Sequence, residues 1–436
     1  MRNLMVKAGA LTRLMVFVSI VAATVSPAQA APERVALVGG TVVNLDGGPA
    51  LTDAVVLVRG DRIEAVGTRD EIVVPPDAYP IDVDGKWLIP GLMNMHVHLG
   101  LILPGKMATE LAGETEGELT LRMADNAIRT LEAGVTTIRL PGDTAHGDLA
   151  LKKAIARGIA HGPRIFSGGE AVVVTGGHGS ESGVIFNDGP YELIKATRRE
   201  ISAGADWVKI FISGGIATDG GDISQPLMMP EEIHAVVDAA HRFGARVAAH
   251  SGSPQATEVA VDAGVDSIEH GYFLDRKVLR KMARAGTWLV PTIVVSQPAT
   301  EPFFRELGSP QWYLDRRDSV GKDHWQALQT AIAEDVNIGL GTDQMAFEPN
   351  DGTSATVREA QYYVEAGMTP LEALRSATTE PARMLGAEAD LGSLEEGKFA
   401  DIVVVDGDPA EDISALRDIL LVMKGGHVYR NDLGAR

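Results

Sequence analysis

The chain has 436 residues, a net charge of −20 and no cysteine. This length can bury a large core and exceeds a simple single domain. Without cysteine there are no disulfides and no thiolate chemistry, so a metal site would need His, Asp, Glu or a modified Lys. The strong negative charge argues against nucleic acid and anionic lipid as partners and favours solubility.

The first 30 residues have the pattern of an export signal. Arg2, Lys7 and Arg13 form a positive start, Leu14 to Val25 is an apolar run, and small residues precede a cleavage site after Ala30. The run is short for a membrane span. We therefore expect a periplasmic or secreted mature chain of 436 − 30 = 406 residues, with a net charge of −20 − 3 = −23 and no membrane attachment.

The two ends of the mature chain share a β-rich pattern. Short β-prone runs separated by glycine turns fill residues 34–83, and similar runs return at 401–405 and 420–428. We expect both ends to form one small β-sandwich-like domain, made of residues 31–88 and 389–436. Residues 89–388 would then be an inserted second domain.

Within this insertion, eight strand-like runs are separated mostly by helix-like segments. Strands that alternate with helices form parallel sheets, and eight such units over about 250 residues are typical of a (β/α)8 TIM-type barrel. A doubly wound open sheet is the alternative, but no Gly-rich dinucleotide fingerprint follows a first strand. The runs end near His98, Arg139, Ser167, Phe211, His250, His270, Ile293 and Asp343.

Residues that can bind metal lie where these strands end. His96 and His98 are two positions apart on one strand, so their side chains point to the same face. Lys209 lies within an apolar run, where an unpaired lysine is unusual. Each residue has an ordinary alternative, such as a hydrogen-bonded histidine or a helix-capping aspartate. All would nevertheless meet at the rim where this fold places catalysis. The further members are His250, His270 and Asp343.

In these motifs the chain resembles the metal-dependent amidohydrolase superfamily, over essentially all of the mature sequence. It is most similar to the imidazolonepropionase-like, prolidase-like branch, which includes Xaa-Pro and Xaa-Arg/Lys dipeptidases and ochratoxin-hydrolysing amidases. The motifs that carry the resemblance are Pro90–His98, Trp207–Phe211, Ala249–His250, Glu269–Gly271, Gly341–Asp343 and the late stretch Gly392–Val404.

The resemblance implies a site for two zinc ions or other divalent transition metals. His96 and His98 would hold one ion together with Asp343, and His250 and His270 the other. Lys209, carboxylated by carbon dioxide, would bridge both. A metal-bridging hydroxide would attack an amide, and Asp343 would carry the proton to the leaving nitrogen. The products would include a C-terminal amino acid, released from a dipeptide, an N-acyl amino acid or an ochratoxin-like amide.

Three further residues are candidates for substrate contacts. His178, in a glycine-rich loop, is expected to stabilise the developing oxyanion, although a plain surface loop is the alternative. Tyr272 is expected to bind a substrate carboxylate. Arg139 is expected to do the same or to pair with an acid inside the rim. At two positions the chain differs from this branch: relatives often carry a histidine where this chain has Gly252, and commonly Asp where it has Leu140. These differences affect the expected pocket and none of the expected metal ligands.

Other functions use the same site. A lactone, a cyclic amide or a phosphotriester could replace the amide, and a mononuclear variant of the barrel deaminates nucleobases. A non-catalytic, metal-dependent binding protein is a different class of answer. Relatives in this branch often form homo-oligomers, which we also expect here. The remaining histidines have no matching partners at strand ends and are set aside, except His146, which could face either the site or solvent: His161, His234, His241, His324 and His427.

Overall fold

The computed structural model describes residues 33–100, 102–179, 186–350 and 352–434. The expected export signal lies outside the described residues. Among the residues that are described, no helix has the length and apolar character needed to cross a bilayer.

Strands dominate both ends of the described chain, and helices alternate with strands between them. The strands are β1 Arg34–Val42, β2 Leu51–Arg59, β3 Arg62–Thr68, β4 Tyr79–Asp82, β5 Trp87–Pro90, β6 Leu92–Asn94, β7 Val135–Leu140, β8 Arg164–Ser167, β9 Trp207–Phe211, β10 Arg246–Ser251, β11 Ser267–His270, β12 Trp288–Val290, β13 Pro349–Asn350, β14 Thr353–Ser354, β15 Ile402–Val405, β16 Ile419–Lys424 and β17 His427–Asn431. The α-helices are α1 Lys106–Glu110, α2 Glu116–Glu132, α3 Gly147–Ala156, α4 Gly189–Ala203, α5 Pro230–Arg242, α6 Pro254–Ala263, α7 Arg276–Ala285, α8 Glu301–Glu306, α9 Gln311–Ala333, α10 Ala355–Ala366, α11 Pro370–Ser376 and α12 Thr379–Leu385.

Both ends of the chain contribute to one eight-stranded sheet. Its order is β17-β16-β15-β5-β1-β2-β3, and β4 pairs with β1. Alternating apolar residues such as Leu37, Val56 and Val404 pack into a single buried cluster on this sheet, as expected for strands with one face toward a core. The sandwich-like closure and the domain limits at 31–88, 89–388 and 389–436 stay predictions.

The middle of the chain contains two parallel sheets, β6-β7-β8 and β12-β11-β10-β9. Between them, the Asp206 N–H donates to the Ser167 carbonyl at 2.8 Å. Nearly every residue of these strands is buried, as in sheets that are covered on both faces. The alternation of parallel strands with helices agrees with a TIM-barrel type fold, but the described residues form two separate parallel sheets and no closed eight-stranded barrel.

The expected eighth strand, which would end at Asp343, is not a regular strand. Ile338 makes a single parallel bridge to Leu289, and Leu340 divides its backbone bonds between Ser376 and Met95. The backbone hydrogen bonds of this segment therefore reach both Leu289 and Met95 without forming a continuous strand ladder. The His96 carbonyl accepts the N–H groups of both Thr342 (3.0 Å) and Asp343 (2.8 Å). These bonds place Asp343 beside the end of β6.

Candidate active site

His96 and His98 follow β6 and point toward Asp343. Oδ1 of Asp343 lies 3.2 Å from Nε2 of His96 and 3.1 Å from Nε2 of His98. The other ring nitrogens are occupied, since Nδ1 of His96 lies 2.7 Å from Glu269 and Nδ1 of His98 lies 2.7 Å from the Gly142 carbonyl. Such partners fix the tautomer and direct the remaining lone pair of each ring. The three side chains could hold one metal ion.

His250 and His270 form a second pair beside the first. His250 is the last residue but one of β10. Its Nε2 donates to the Gly214 carbonyl at 2.9 Å, which leaves Nδ1 free to bind a metal ion. His270 ends β11, and its Nδ1 lies 2.8 Å from Oγ1 of Thr292, which leaves Nε2. The two rings are 4.6 Å apart, and the ring of His270 is 4.9 Å from that of His96. The four histidines therefore form one continuous group.

Lys209 lies on β9 and is almost fully buried, with 1% of its surface exposed. Within the described residues, Nζ has neither a hydrogen bond nor an ion pair; it lies 5.2 Å from the centre of the Phe211 ring. Burial lowers the pKa of Lys209 to about 8, although Glu269 and Asp343 act in the opposite direction. A fraction of this amine is therefore uncharged near neutral pH.

The ionisation of the group is set by burial and by Asp343. Burial lowers the pKa of His96, His250 and His270, which keeps these rings neutral. At His98 burial also acts to lower the pKa, but the hydrogen bond and charge of Asp343 raise it overall. Burial acts to raise the pKa of Asp343, yet the neighbouring histidines hold it well below its usual value. The site thus combines a carboxylate with three imidazoles whose pKa is lowered and with His98, whose pKa is raised.

Three residues of the site have left-handed backbone conformations. The φ angles are 67° at His270, 56° at Thr292 and 54° at Asp343. Non-glycine residues rarely adopt this region, and such strain persists only where the surroundings enforce it. Strained residues cluster at functional sites, which agrees with the convergence of the side chains here.

His178 reaches the edge of the same group. Its ring centre is 4.5 Å from that of His250, and its Nδ1 lies 2.5 Å from Oγ1 of Thr218. Gly215 provides the space, since a Cβ there would lie 2.2 Å from Nε2 of His178. Burial lowers the pKa of His178 to about 4, so the imidazole is neutral at neutral pH.

The two other predicted substrate contacts have different surroundings. The ring of Tyr272 stacks on His270, with the ring centres 5.2 Å apart, and burial raises its pKa so that the hydroxyl keeps its proton. Arg139, in contrast, is fully buried, and its guanidinium donates to Glu269 at 2.7 Å, to Ser267 at 2.9 Å and to a backbone carbonyl. Of the two alternatives for Arg139, the structure shows pairing with an acid, and substrate binding by Arg139 stays a prediction.

Apolar side chains from the segment before α1 and from two helices form a separate buried cluster. It includes Leu103 from the segment before α1, Phe304 from α8, and Tyr313 and Leu314 from α9. The charge of Asp343 contributes to the raised pKa of Tyr313, for which burial is the larger cause. This cluster therefore lies close to the metal-binding group.

Sequence reasoning missed the residues that support the ligands. Glu269 was visible beside His270, but its partner Arg139 lies 130 residues away in sequence. His324 was set aside, yet the structure buries it on α9, where Nε2 lies 2.8 Å from the Pro291 carbonyl and Nδ1 lies 2.8 Å from Ser296. Its partners are chiefly backbone and hydroxyl groups, which leave no signal in composition.

The remaining histidines lie outside the group. His146 pairs with Glu200 at 2.6 Å and lies near Glu170. The others are exposed: His161, His234, His241 and His427.

Sequence comparisons identify the family of the chain and its relatives. Residues 87–429 match the amidohydrolase family. The chain is 29% identical to an ochratoxinase from Aspergillus niger over 430 residues, covering 90% of this chain and 85% of the relative. It is 27% identical to an imidazolonepropionase from Pseudomonas aeruginosa over 394 residues, covering 82% of this chain and 89% of the relative.

Solved structures give the same result. A Xaa-Pro dipeptidase with methionine bound in its active site superposes with a TM-score of 0.82 and 32% identity, over 91% of this chain and all of that one. The crystal structure of A. niger ochratoxinase superposes with a TM-score of 0.77 and 27% identity, over 92% of this chain and 96% of that one. The chain belongs to the amidohydrolase family and is a hydrolase that acts on C–N bonds.

Proposed function

We propose that the protein is a binuclear metal-dependent amidohydrolase, with zinc as the expected metal, that releases a C-terminal amino acid from an amide. The observation that carries this proposal is the convergence of four histidines and Asp343 around one point, with the unpaired Lys209 on the intervening strand. Lys209 departs from an ordinary buried polar cluster, in which each charged group has a protein partner.

The donor atoms fit zinc. Neutral imidazole nitrogens and carboxylate oxygens are its usual ligands in proteins that lack cysteine ligands. We assign His96, His98 and Asp343 to one ion, and His250 and His270 to the other. When bound, such ions polarise a carbonyl group and lower the pKa of water toward neutrality.

Lys209 would join the two groups after carboxylation. A charged ammonium neither binds a cation nor reacts with carbon dioxide, whereas an uncharged amine can form a carbamate with two oxygen ligands and a negative charge. The burial that lowers the pKa of Lys209 to about 8 increases the uncharged fraction. The absence of a carboxylate partner among the described residues leaves Nζ available for this reaction.

Asp343 is the proposed proton carrier. Its Oδ1 faces His96 and His98, while Oδ2 lies 4.0 Å from Nδ1 of His270 and is less engaged. A carboxylate that stays ionised can take a proton at Oδ2 from the attacking water and deliver it to the leaving nitrogen. An amide nitrogen requires this proton, because it would otherwise leave as an unstable anion.

His178 and Tyr272 would orient the substrate. The neutral imidazole of His178 can donate a hydrogen bond from Nε2 to the oxygen that becomes negative, and the Tyr272 hydroxyl can donate to a carboxylate. The dipeptidase and ochratoxinase relatives support amides of amino acids as substrates.

A pool of dipeptides and N-acyl amino acids tests the proposal. Zinc-loaded protein and Asp343→Asn are incubated with the pool in parallel, with and without a chelator, and the products are identified by mass spectrometry. We expect free amino acids only from the wild-type protein without chelator. An unchanged pool, with zinc shown to be bound, would refute the amidase proposal and direct attention to lactones, phosphotriesters or a binding role.

Export with cleavage after Ala30, and assembly into a homo-oligomer, are further proposals that rest on the sequence. Amino-terminal sequencing of protein recovered outside the cytoplasm tests the first. Light scattering of the purified protein tests the second.

A further inference from the structure

We infer that Thr292 and Glu359 are positioning residues that hold His270 in the orientation needed to bind metal. This inference rests on the proposed metal site. Oγ1 of Thr292 lies 2.8 Å from Nδ1 of His270, and both side chains are buried. If Nδ1 carries the proton and donates it to Thr292, the lone pair of His270 is at Nε2 and is available to a metal ion.

Thr292 occupies a backbone conformation that its own side chain disfavours. Its φ and ψ angles are 56° and 45°, in the left-handed region, where a β-branched residue is an outlier. Glycine would adopt this conformation without strain but would lack the hydroxyl that contacts His270. The strain is therefore explained by the need for a hydroxyl at this point.

Glu359 stabilises the strained turn through two hydrogen bonds to its backbone. It lies on α10, is fully buried, and accepts two successive backbone N–H groups, from Ile293 at Oε1 (2.8 Å) and from Val294 at Oε2 (2.9 Å). These are the two residues that follow Thr292. Within the described part of the chain, Glu359 forms no ion pair with Lys, Arg or His, and the Tyr363 side chain interacts with it in addition to the two N–H groups of this turn.

The other side of the turn is held by His324. Its Nε2 lies 2.8 Å from the carbonyl of Pro291 and 3.2 Å from the carbonyl of His270. The turn is thus fixed before Thr292 by a residue of α9 and after it by a residue of α10. Two helices outside the barrel strands thereby determine the position of a single hydroxyl next to the proposed ligand.

Zinc competition with a chromogenic chelator, on the full-length protein, tests the inference without measuring activity. Thr292→Val keeps the shape and removes the hydroxyl, and Thr292→Ser keeps the hydroxyl. We expect Thr292→Val to weaken the binding of one of the two zinc ions by about 10- to 100-fold, and Thr292→Ser to bind zinc about as tightly as wild type. Glu359→Gln should weaken the binding of the same ion. Thr197→Val is a matched control, because that buried hydroxyl donates to a helix carbonyl and contacts no ligand.

Thr292→Gly separates positioning from a structural role. Glycine relieves the backbone strain but removes a buried side chain, so the melting temperature of the metal-free protein is measured beside its zinc affinity, which should fall as in Thr292→Val. Wild-type affinity for both ions in the glycine and valine variants would overturn the inference while leaving the proposed function intact. A wild-type protein that binds no zinc would overturn both.

Discussion

Replacing Glu269 with glutamine tests the buried ion pair and the orientation of His96 together. The carboxylate is fully buried and accepts from Arg139 at 2.7 Å, from Ser267 at 2.5 Å and from His96 at 2.7 Å. Burial acts to raise the pKa of Glu269, but Arg139 and His96 together hold it well below its usual value. Glu269→Gln preserves the shape and removes the charge.

The expected cost follows from what the substitution leaves behind. The Arg139 guanidinium, with no exposed surface, would keep its charge without a counter-ion, which in buried pairs costs about 3–5 kcal/mol. This is a large part of a total stability of about 5–15 kcal/mol. The hydrogen bond to Nδ1 of His96 would also become neutral, which should lower metal affinity by about 10- to 100-fold.

Urea denaturation of metal-free and zinc-loaded protein measures both effects. The double variant Arg139→Met/Glu269→Gln removes both charges, so it should recover much of the lost free energy of unfolding but not the zinc affinity. A loss below about 1 kcal/mol in Glu269→Gln, or a double variant no more stable than the single one, would refute the reasoning about the buried pair.

Three other substitutions have defined outcomes. Gly215→Ala places a Cβ 2.2 Å from Nε2 of His178; the displaced imidazole should lower kcat by about 100-fold with zinc content unchanged, as measured by steady-state kinetics and metal analysis. Lys209→Ala should lower the zinc content below two ions per chain, and a short carboxylic acid should restore part of the activity. Burial lowers the pKa of His324 to about 4 from 6.5, so only the unfolded chain gains a proton between these values and stability falls as the pH falls from 6.5 toward 4. His324→Gln should therefore reduce the dependence of the metal-free unfolding free energy on pH in that window.

Each of these predictions has an outcome that contradicts it. Unchanged kcat in Gly215→Ala would remove His178 from the reaction. Two zinc ions in Lys209→Ala would exclude the bridging role. An equal pH dependence in His324→Gln and wild type would mean that other groups account for the acid sensitivity.

The sequence was sufficient for the fold type and for the grouping of the ligands. Parallel strands place their carboxyl ends at one rim, so residues such as His96, His250 and His270 meet whatever the details of the loops. The pattern of apolar runs therefore predicts which side chains converge, although β6 ends at Asn94 and the segment before Asp343 is irregular.

The support of the ligands could not be read from the sequence. Glu359 acts through backbone N–H groups, and Thr292 acts through a left-handed conformation, neither of which produces a periodic pattern. Arg139 had two open roles because its partner comes from a distant strand. His324 lacked a matching partner only because its partners are carbonyls and a hydroxyl.

The bonds from the end of β6 and from His96 to Thr342 and Asp343 join parts of the chain that are far apart in sequence. Nδ2 of Asn94 donates to Oγ1 of Thr342, 248 residues later in the chain, and the His96 carbonyl accepts from the same segment. During translation, the first ligands emerge long before the last one, and contacts so distant in sequence form slowly. A nascent chain or an amino-terminal fragment that ends before Asp343 lacks the complete donor set, so tight zinc binding would report that the chain has been synthesised and folded at least as far as Asp343.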